Sequence, residues 1–346
     1  MPDAIIPSEL TNDALKILLK MNIVDRSLKI ERTNTHTMIP LLIPDIPEEI
    51  VRKYRIKFDH AEHRKRSQRK KPFESIRESL LEIGLDRNLL SRFPDKWEMV
   101  GDVLIIKLSE DLMGFSQPIA EQYAKILGAK TVLRDLEKIA GQERLPEVQL
   151  LIGDETETIH IENGVKYCLD VARIMFSSGN IDERIRMASI DFDGKSVLDM
   201  FAGIGYFTLP IAVHQKPKMI FSCEIRQLTY DFLLKNIDLN AVREKVIPFF
   251  GDNRSFNPPE KVDAIIMGYL KDTKDYLPKA LSCLKSGGTI FYHENCPNVL
   301  FPGRIIDNLK SAAGDKWTVE ILSKRIVKSF SPGVSHVVID ARFNEI

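Results

Sequence analysis

Cysteine is scarce in this chain, and its placement matches neither a disulfide framework nor a metal site. Cys168, Cys223, Cys283 and Cys296 are the four cysteines among 346 residues. They contain no CxxC pair and have no histidine at metal-ligand spacing. We therefore predict reduced, mostly buried thiols of a cytosolic protein that binds no metal.

Long apolar runs are also missing. No segment approaches the roughly 18 apolar residues of a membrane-spanning helix, and no basic segment followed by an apolar core opens the chain. We expect a cytoplasmic protein that neither spans a membrane nor is secreted. The apolar fraction of 44% is ordinary for a globular protein, and the length predicts about two or three domains. The sequence specifies no oligomeric state.

The most informative segment present is a glycine-spaced loop. An apolar strand from Val197 ends in Asp199, turns through Gly203 and Gly205, and enters a helix predicted over Leu209–Val213. An open α/β sheet builds a nucleoside pocket in this way, because glycines let the backbone approach a ligand and the helix N-terminus favours anions. A glycine turn that serves only tight packing is the alternative. The third glycine of a dinucleotide fingerprint is absent.

Two further strands continue this pattern. Met219–Glu224 reads as a strand that ends in an acid 25 positions after Asp199, and a carboxylate there can accept hydrogen bonds from both ribose hydroxyls. Val246–Phe250 reads as a third strand, followed by Asp252 and Asn253. Their acceptor and donor groups suit an adenine edge, although an ordinary Asx turn is the alternative. The loop resembles motif I, DxFAGxG, of class I S-adenosylmethionine-dependent transferases.

A net charge of zero conceals a basic segment. Residues 52–71 contain ten Lys or Arg and two acids, a local charge of +8, so the other residues sum to −8. The run from Arg64 to Lys71 is either a solvated linker or an arm that binds phosphates with strong salt dependence. A basic arm on a neutral body favours a polyanionic substrate.

These landmarks predict four parts: a small N-terminal α+β domain (1–51), a basic linker (52–72), a middle α+β RNA-binding or accessory domain (73–188) and a Rossmann-like catalytic domain (189–346). In the first part we predict a helix over Thr11–Met21, capped by Thr11 or Asn12, and a strand over Met38–Ile43. In the middle domain we predict helices and strands at Phe73–Glu82, Val103–Leu108, Ile119–Leu127, Val148–Ile152 and Thr158–Glu162.

The fourth strand of the predicted sheet lacks an expected motif. Val262–Met267 is followed by Gly268, Tyr269 and Leu270. Many nitrogen-directed methyltransferases carry Asn-Pro-Pro-Tyr or Asn-Leu-Pro at this position, which holds the target nitrogen. Tyr269 can stack on a base, but core packing of its ring is equally plausible. The missing motif weakens the methyltransferase interpretation.

The catalytic half resembles a family of tRNA-modifying enzymes. This family comprises the guanosine-37 N1-methyltransferases and their paralogues of wybutosine synthesis, the tRNA(Phe) 4-demethylwyosine aminocarboxypropyltransferases. The similarity covers about residues 162–343 and weakens upstream. The segments that carry it are Glu162–Val165, Leu169–Asp170, Met175–Asn180, Glu183–Arg186, Asp199–Gly205, Met267–Tyr269, His293–Asn295, Ser331–Val334 and His336. Met-Gly-Tyr in place of Asn-Leu-Pro favours the second group.

The resemblance implies an α/β fold with a Rossmann-like sheet and a C-terminal β-hairpin, with S-adenosylmethionine as cofactor. It implies cofactor contacts from Ser177, Arg184, Glu224, Asp252 and Asn253. An Arg184 fork suits the methionine carboxylate, whereas the alternatives are a surface salt bridge for Arg184 and a local cap for Ser177. His293, predicted to end the fifth strand, is a candidate proton acceptor or, more simply, a hydrogen-bonded structural histidine.

Three functions are compatible with these observations. The first is transfer of the 3-amino-3-carboxypropyl group of S-adenosylmethionine to 4-demethylwyosine at position 37 of tRNA(Phe), with release of methylthioadenosine. The second is guanosine-37 N1-methylation of tRNA. The third is a non-catalytic RNA-binding protein with a relict pocket, which the intact loop, Glu224 and Asp252-Asn253 oppose. The expected cofactor-binding residues are Ser177, Arg184, Asp199, Gly203, Gly205, Glu224, Asp252 and Asn253, with Tyr269 and His293 at the substrate. No general base is predicted.

Overall fold

The computed structural model describes residues 3–33, 35–59, 71–140 and 145–346. The chain forms two compact units, residues 1–74 and 75–346. Residues 60–70, which hold most of the predicted basic linker, lie outside the described residues, so the role of the polybasic run stays a prediction.

The N-terminal unit is a small α+β fold. Its elements within the described residues are β1 (Asp3–Pro7), α1 (Thr11–Lys20), β2 (Glu31–Arg32), β3 (His36–Pro40), α2 (Glu48–Lys53) and β4 (Lys57–Asp59). The strands lie in the order β2-β3-β1-β4 and are antiparallel. Helix α1 buries Ala14 and Leu18 in the apolar core of this unit.

Three details of this unit differ from the sequence predictions. Within the predicted linker, Arg52 and Lys53 end α2, and Lys57–Asp59 form β4, whose backbone pairs with the side of β1 that β3 leaves free. Strand β3 begins at His36 and ends at Pro40. Neither Thr11 nor Asn12 caps α1: Leu10 is its N-cap, and the Thr11 hydroxyl instead donates to the Pro7 carbonyl at 3.1 Å.

The next elements build a four-stranded sheet of order β5-β6-β7-β8. They are α3 (Pro72–Glu82), β5 (Trp97–Val100), β6 (Val103–Ile106), α4 (Ser116–Leu127), β7 (Thr131–Ala140) and β8 (Leu145–Ile152). Strands β6 and β7 run parallel, and the other pairs are antiparallel. The sequence predicts α3, β6, α4 and β8, whereas β5 and β7 are found only in the structure.

The hairpin of β9 (Glu157–Glu162) and β10 (Val165–Asp170), followed by α5 (Ile181–Ser189), packs on the large sheet. Asn236 lies on a helix that packs against that sheet, and its side chain holds β10. Its Oδ1 accepts from the Cys168 amide at 2.6 Å, and its Nδ2 donates to the Cys168 carbonyl at 3.1 Å. These elements share an apolar core with the large sheet, and the domain boundary at residue 188 stays a prediction.

A seven-stranded sheet organises the rest of the second unit, in the order β13-β12-β11-β14-β15-β17-β16. Its elements are β11 (Ser196–Asp199), α6 (Thr208–His214), β12 (Met219–Glu224), α7 (Gln227–Leu239), β13 (Val246–Phe250), β14 (Val262–Met267), α8 (Leu277–Cys283), β15 (Leu284–Pro297), α9 (Gly303–Ala313), β16 (Trp317–Ser331) and β17 (Val334–Glu345). The first five strands in this order are parallel. Strand β17 pairs antiparallel with β15, and β16 pairs antiparallel with β17. The predicted Rossmann-like sheet with a C-terminal β-hairpin is confirmed.

Two apolar cores cover the faces of this sheet, which explains the continuous apolar runs of the central strands. Residues of α6 and α7 pack on one face, and residues of α8 and α9 pack on the other. The strand order reverses between β11 and β14, and the carboxyl ends of these strands form the edge where open α/β sheets bind ligands. None of the helices in the described part of the chain combines the length and apolar character needed to cross a membrane.

Candidate active site

Asp199 lies at the carboxyl end of β11 and is fully buried. One carboxylate oxygen accepts from the Phe201 amide at 3.2 Å and the other from the Thr208 hydroxyl at 2.9 Å. Burial raises the pKa of Asp199 to about 6, although the Thr208 hydrogen bond opposes this shift. With both oxygens engaged and no exposed surface, Asp199 ties the loop to the start of α6 and shapes the pocket rather than lining it.

Two glycines of this loop adopt conformations that other residues rarely take. Gly203 has φ +58° and Gly205 has φ +103°. A Cβ at Gly203 would lie 2.8 Å from the Tyr206 ring, and one at Gly205 would lie 2.6 Å from Leu209. The loop thus depends on glycine both for its backbone path and for its contact with α6.

Glu224 ends β12 next to this loop, because β11 and β12 are parallel neighbours. Its Oε2 accepts from the Gly203 amide at 2.9 Å, and its Oε1 accepts from the Arg226 amide at 2.8 Å. A carboxylate oxygen has a second lone pair, so the two amides fix the orientation of Glu224 and still leave acceptors for a pair of hydroxyl groups.

Asp252 and Asn253 follow β13, and their side chains make different hydrogen bonds. Asp252 forms the Asx turn that the sequence offered as an alternative, since its Oδ1 accepts from the Arg254 amide at 2.9 Å. A hydrogen bond from the Arg254 guanidinium lowers the pKa of Asp252. Asn253 is 7% exposed and donates from Nδ2 to the Met200 carbonyl at 2.8 Å.

Asn253 Oδ1 is the atom here that indicates a ligand. It is buried and has no hydrogen-bond partner among the described residues, and a buried acceptor of this kind is costly to leave unpaired. The Nδ2 contact with Met200 fixes the amide, so Oδ1 is the atom left to accept from an N–H donor. Together with Glu224 and the glycine loop, this acceptor fits the adenosine part of S-adenosylmethionine.

Arg184 and Ser177 occupy buried or half-buried positions on the neighbouring elements. Arg184 is 3% exposed and forks onto Glu162 of β9, while its Nη1 donates to the Ser177 carbonyl at 3.1 Å. The surface salt bridge considered for Arg184 is therefore wrong. The local cap considered for Ser177 is also wrong, because its hydroxyl hydrogen-bonds with Nζ of Lys328 on β16. Two N–H groups of Arg184 remain for a carboxylate ligand.

Tyr269 lies beyond the end of β14, where its ring stacks on Phe201. The ring centroids are 5.1 Å apart with 16° between the planes, and Tyr269 is 39% exposed. One ring face is thus packed while part of the side chain stays accessible. Stacking of Tyr269 on a substrate base therefore stays a prediction, and Phe201 is a stacking partner that the sequence did not reveal.

His293 does not end the fifth strand, because β15 continues to Pro297 and pairs with β17 along this extension. It is fully buried, and its Nδ1 lies 3.1 Å from Nε2 of His336 on β17. A buried His293 cannot contact a substrate base directly from this position. His336, which belongs to the segments of the family resemblance, is the second member of this pair, a contact that the sequence did not indicate.

A cavity of about 610 Å³ adjoins the end of β12. Ile225 and Arg226, which directly follow Glu224, line it together with Arg173 from the segment after β10. Two guanidinium groups at the carboxyl edge of the sheet favour anions. Over the residues with described side chains, no cluster of His, Cys, Asp or Glu has the arrangement needed to hold a metal ion.

Two family models match the second unit. The "TRM5/TYW2 methyltransferase domain" matches residues 158–322, and the "TYW2 N-terminal domain" matches residues 76–156. The two matches meet at Glu157, the first residue of β9, which agrees with the packing of β9, β10 and α5 on the large sheet.

Similar proteins include tRNA(Phe) (4-demethylwyosine(37)-C(7)) aminocarboxypropyltransferase of Pyrococcus horikoshii, 43% identical over 77% of this chain and 95% of that protein. The tRNA (guanine(37)-N(1))-methyltransferase Trm5b of Pyrococcus abyssi is 30% identical over 94% of each. Among solved structures, P. horikoshii TYW2 in complex with MeSAdo has a TM-score of 0.71 at 40% identity, over 79% of this chain and 99% of that one. P. abyssi Trm5b has a TM-score of 0.69 at 29% identity, over 99% of each chain.

Proposed function

This chain belongs to the TRM5/TYW2 family, and we propose that it transfers the 3-amino-3-carboxypropyl group of S-adenosylmethionine to 4-demethylwyosine at position 37 of tRNA(Phe). The relatives named as aminocarboxypropyltransferases are 43% and 41% identical and are covered over 95% and 99% of their lengths. The relative named as a guanine methyltransferase is 30% identical. The proposed enzyme uses S-adenosylmethionine, as TYW2 structures with AdoMet and MeSAdo also indicate.

The observation within the chain that carries this proposal is the sequence after β14. Gly268 and Tyr269 stand where a nitrogen-directed methyltransferase needs an amide side chain and a proline. The stacked Phe201–Tyr269 pair presents an aromatic surface at that strand end, which suits a flat tricyclic base better than a polar grip on one ring nitrogen.

We assign the cofactor to the carboxyl edge of β11, β12 and β13. In this proposal Gly203 and Gly205 admit the nucleoside, Glu224 accepts from its ribose, and Asn253 Oδ1 accepts from its adenine. Asp252 supports the Asn253 turn. Arg184 and Ser177 lie at the methionine end, and Asp199 acts through the loop that it anchors. S-adenosylmethionine supplies an activated sulfonium with three electrophilic carbons, so the task of these residues is mostly positioning.

The partner in this proposal is tRNA(Phe), and the location is the cytoplasm. Arg173 and Arg226 support an RNA partner because they line the cavity next to Glu224. All four cysteines are free thiols, which agrees with a reducing compartment.

Two preparations of S-adenosylmethionine, each labelled in a different position, test the reaction. S-adenosylmethionine labelled in its amino acid tail is incubated with the protein and tRNA(Phe) carrying 4-demethylwyosine. We expect label in the RNA and release of unlabelled methylthioadenosine. A parallel reaction with methyl-labelled donor should leave the RNA unlabelled.

Guanosine-37 N1-methylation is the second candidate, favoured by the 94% coverage shared with Trm5b. Methyl label in tRNA that carries unmodified guanosine 37, with release of S-adenosylhomocysteine, would establish it in place of the first. If neither donor labels either RNA while calorimetry detects no cofactor binding, the chain is an RNA-binding protein with a relict pocket.

A further inference from the structure

Two neighbouring apolar side chains are exposed in the short turn between β15 and α9. Val299 is 91% exposed, the highest value for a large hydrophobic residue in the described part of the chain, and Leu300 is 47% exposed. Both belong to Asn298–Leu300, which we call the tip. A single exposed apolar side chain is ordinary, but an adjacent pair at the end of an interior strand is a candidate contact surface.

The strand register places the tip at the carboxyl edge of the sheet, beside the end of β14. Strands β14 and β15 run parallel, with Met267 opposite Tyr292. Their pairing continues past β14, because the Asn295 amide donates to the Leu270 carbonyl at 3.1 Å. Leu270 directly follows Tyr269, on which the proposed substrate base stacks. The tip begins three residues after Asn295, roughly 10 Å further along an extended chain, and therefore stands next to the substrate end of the candidate site.

The turn between β16 and β17 connects the tip to the methionine end of the site. The Asn298 amide donates to the carbonyl of Gly333 in this turn at 2.9 Å. Strand β16, which leads into the turn, carries Lys328, and Nζ of Lys328 hydrogen-bonds with the Ser177 hydroxyl. The tip and this turn thus form a rim that is tied at one end to the segment after β14 and at the other end to Ser177.

Polar contacts hold the base of the tip in place. Nη2 of Arg304 on α9 donates to Oε1 of Glu294 at 2.6 Å and to the Asn295 carbonyl at 2.8 Å. The other oxygen of Glu294 accepts from the hydroxyl of Tyr292, which is buried. The strand before the tip and the helix after it are therefore fixed to each other. A surface that is ordered before binding loses little conformational entropy when a partner binds to it.

The segments that form the rim are basic, in a chain whose net charge is zero. Residues 295–306 and 321–339 together contain four Lys or Arg and no Asp or Glu. The four cations are Arg304, Lys324, Arg325 and Lys328. Cations around exposed apolar side chains suit a nucleic acid, because its phosphates are negatively charged and its base faces are apolar. A protein partner would instead need an acidic surface around an apolar contact.

The proposed reaction requires a base to leave its stack. The target carbon must lie in line with the sulfonium carbon inside the site, so the target nucleotide has to turn out of the anticodon loop. Its two neighbours then lose a stacking face. Proteins that unstack nucleotides fill such gaps with apolar side chains, and Val299 and Leu300 are side chains of this kind at the edge of the site.

We propose that the tip is an RNA-contact surface that packs against the nucleotides next to position 37 of the tRNA. Val299 and Leu300 cover the base faces that become exposed when the target base turns out, and the cations of the rim face the neighbouring phosphates. This inference rests on the proposed function, which makes position 37 the target. The tip lies outside the proposed cofactor pocket, so it contributes to tRNA affinity and leaves the affinity for S-adenosylmethionine unchanged.

A double variant, Val299→Ser with Leu300→Ser, tests this surface. Neither side chain belongs to the two apolar cores of the large sheet, so the midpoint of thermal unfolding and the Kd for S-adenosylmethionine should stay unchanged. We expect the KM for tRNA to rise by about tenfold or more, because two apolar side chains are no longer buried on binding.

Ile346→Ser is the matched control for the double variant. Ile346 is 82% exposed, but it follows the end of β17, which pairs with the start of β15 at the opposite edge of the sheet. Its replacement should not change the KM for tRNA. An unchanged KM in the double variant as well would overturn the proposal and would leave the tip as a surface for a protein partner.

Photocrosslinking locates the contact without removing the apolar side chain. An aliphatic diazirine amino acid replaces Val299 in the full chain, which is irradiated with tRNA(Phe) carrying 4-demethylwyosine, and mass spectrometry of the nuclease digest maps the adduct. We expect it on nucleotide 36 or 38. An adduct outside the anticodon loop, or none, would overturn the proposal. The crosslink needs no group transfer, so an adduct at 36 or 38 with a wild-type protein that transfers nothing would refute the proposed function and leave this inference standing.

Discussion

The guanidinium of Arg184 and the carboxylate of Glu162 form a buried two-point ion pair, with Nε and Nη2 at 2.5 and 2.6 Å from the two carboxylate oxygens. Glu162→Gln leaves the buried guanidinium without its counter-charge. We expect the free energy of unfolding to fall by about 3–5 kcal/mol in urea denaturation. Glu157→Gln on the same strand is the control, because Glu157 pairs with Lys235 at 51% and 52% exposure and should cost about 0–1 kcal/mol. Equal losses for both variants would contradict the prediction.

We expect Asn253 to contribute to the affinity for the nucleoside part of the cofactor. Asn253→Ala removes the unpaired Oδ1 acceptor, so we expect the Kd for S-adenosylmethionine and for methylthioadenosine to rise together by about tenfold or more. Calorimetry measures both values. Asn257→Ala should change neither, because that exposed side chain contacts Lys279. An effect on S-adenosylmethionine alone would place Asn253 at the wrong end of the cofactor.

Gly205→Ala tests the glycine loop. The variant combines backbone strain at φ +103° with a Cβ placed 2.6 Å from Leu209, so we expect loss of cofactor binding and of more than about 1–2 kcal/mol of stability. The control is Gly194→Ala, where φ is +70° but no atom lies within 4 Å of the new Cβ. That variant should lose only the strain energy and should bind the cofactor normally.

The buried carboxyl of Asp199 should make the free energy of unfolding decrease as the pH rises. Its pKa is raised from 3.8 to about 6 on folding, so the stability contributed by its protonated form is fully present below pH 3.8 and is lost as the pH rises through about 6. Asp199→Asn removes this dependence. The difference in unfolding free energy, variant minus wild type, should therefore increase by about 3 kcal/mol between about pH 4 and pH 7.

Asp252→Asn is the control for this pH series. The pKa of Asp252 is lowered by Arg254 from 3.8, so its stability is present above pH 3.8 and is lost as the pH falls below that value. The two variants should therefore respond to pH in opposite directions. A flat difference for Asp199→Asn would mean that its carboxyl is already ionised in the acidic range.

A substitution of Arg173 tests whether the RNA backbone contacts the cavity beside Glu224. Its side chain is 63% exposed at the cavity beside Glu224, so Arg173→Gln should weaken tRNA binding and reduce the salt slope of binding by about 0.7–0.9 for one lost phosphate contact. Filter binding at several salt concentrations measures this slope, and cofactor affinity should not change. Arg243→Gln is the control, because the Arg243 guanidinium pairs with Asp238 in the last turn of α7, at the end of the sheet where β13 begins.

The sequence predicted the central sheet well because its strands are short apolar runs with distinct ends. The bounds predicted for β12, β13 and β14 agree with the structure, since strands buried on both faces read as continuous apolar segments that stop at an acid, a glycine or a turn. The loop from Asp199 to Gly205 was found for the same reason, because its glycines are required by backbone angles that few other residues adopt.

The polar partners within the site could not be predicted in this way. Arg184 pairs with Glu162 at a separation of 22 residues, and His293 pairs with His336 at a separation of 43. Both contacts depend on strand register and on the packing of α5, which leave no periodic trace in the sequence. The continuation of β15 beyond His293 likewise depends on backbone pairing with β17 rather than on residue type.

The position of β17 also constrains how the protein is made. This strand, Val334–Glu345, inserts between β15 and β16, so β16 has no neighbour in the sheet until β17 has left the ribosome. A nascent chain can form the glycine loop much earlier, because its strands and helices precede residue 268. The seven-stranded sheet is therefore completed only after β17 has been synthesised, and a chain that stopped ahead of Val334 would leave the outer side of β15 unpaired.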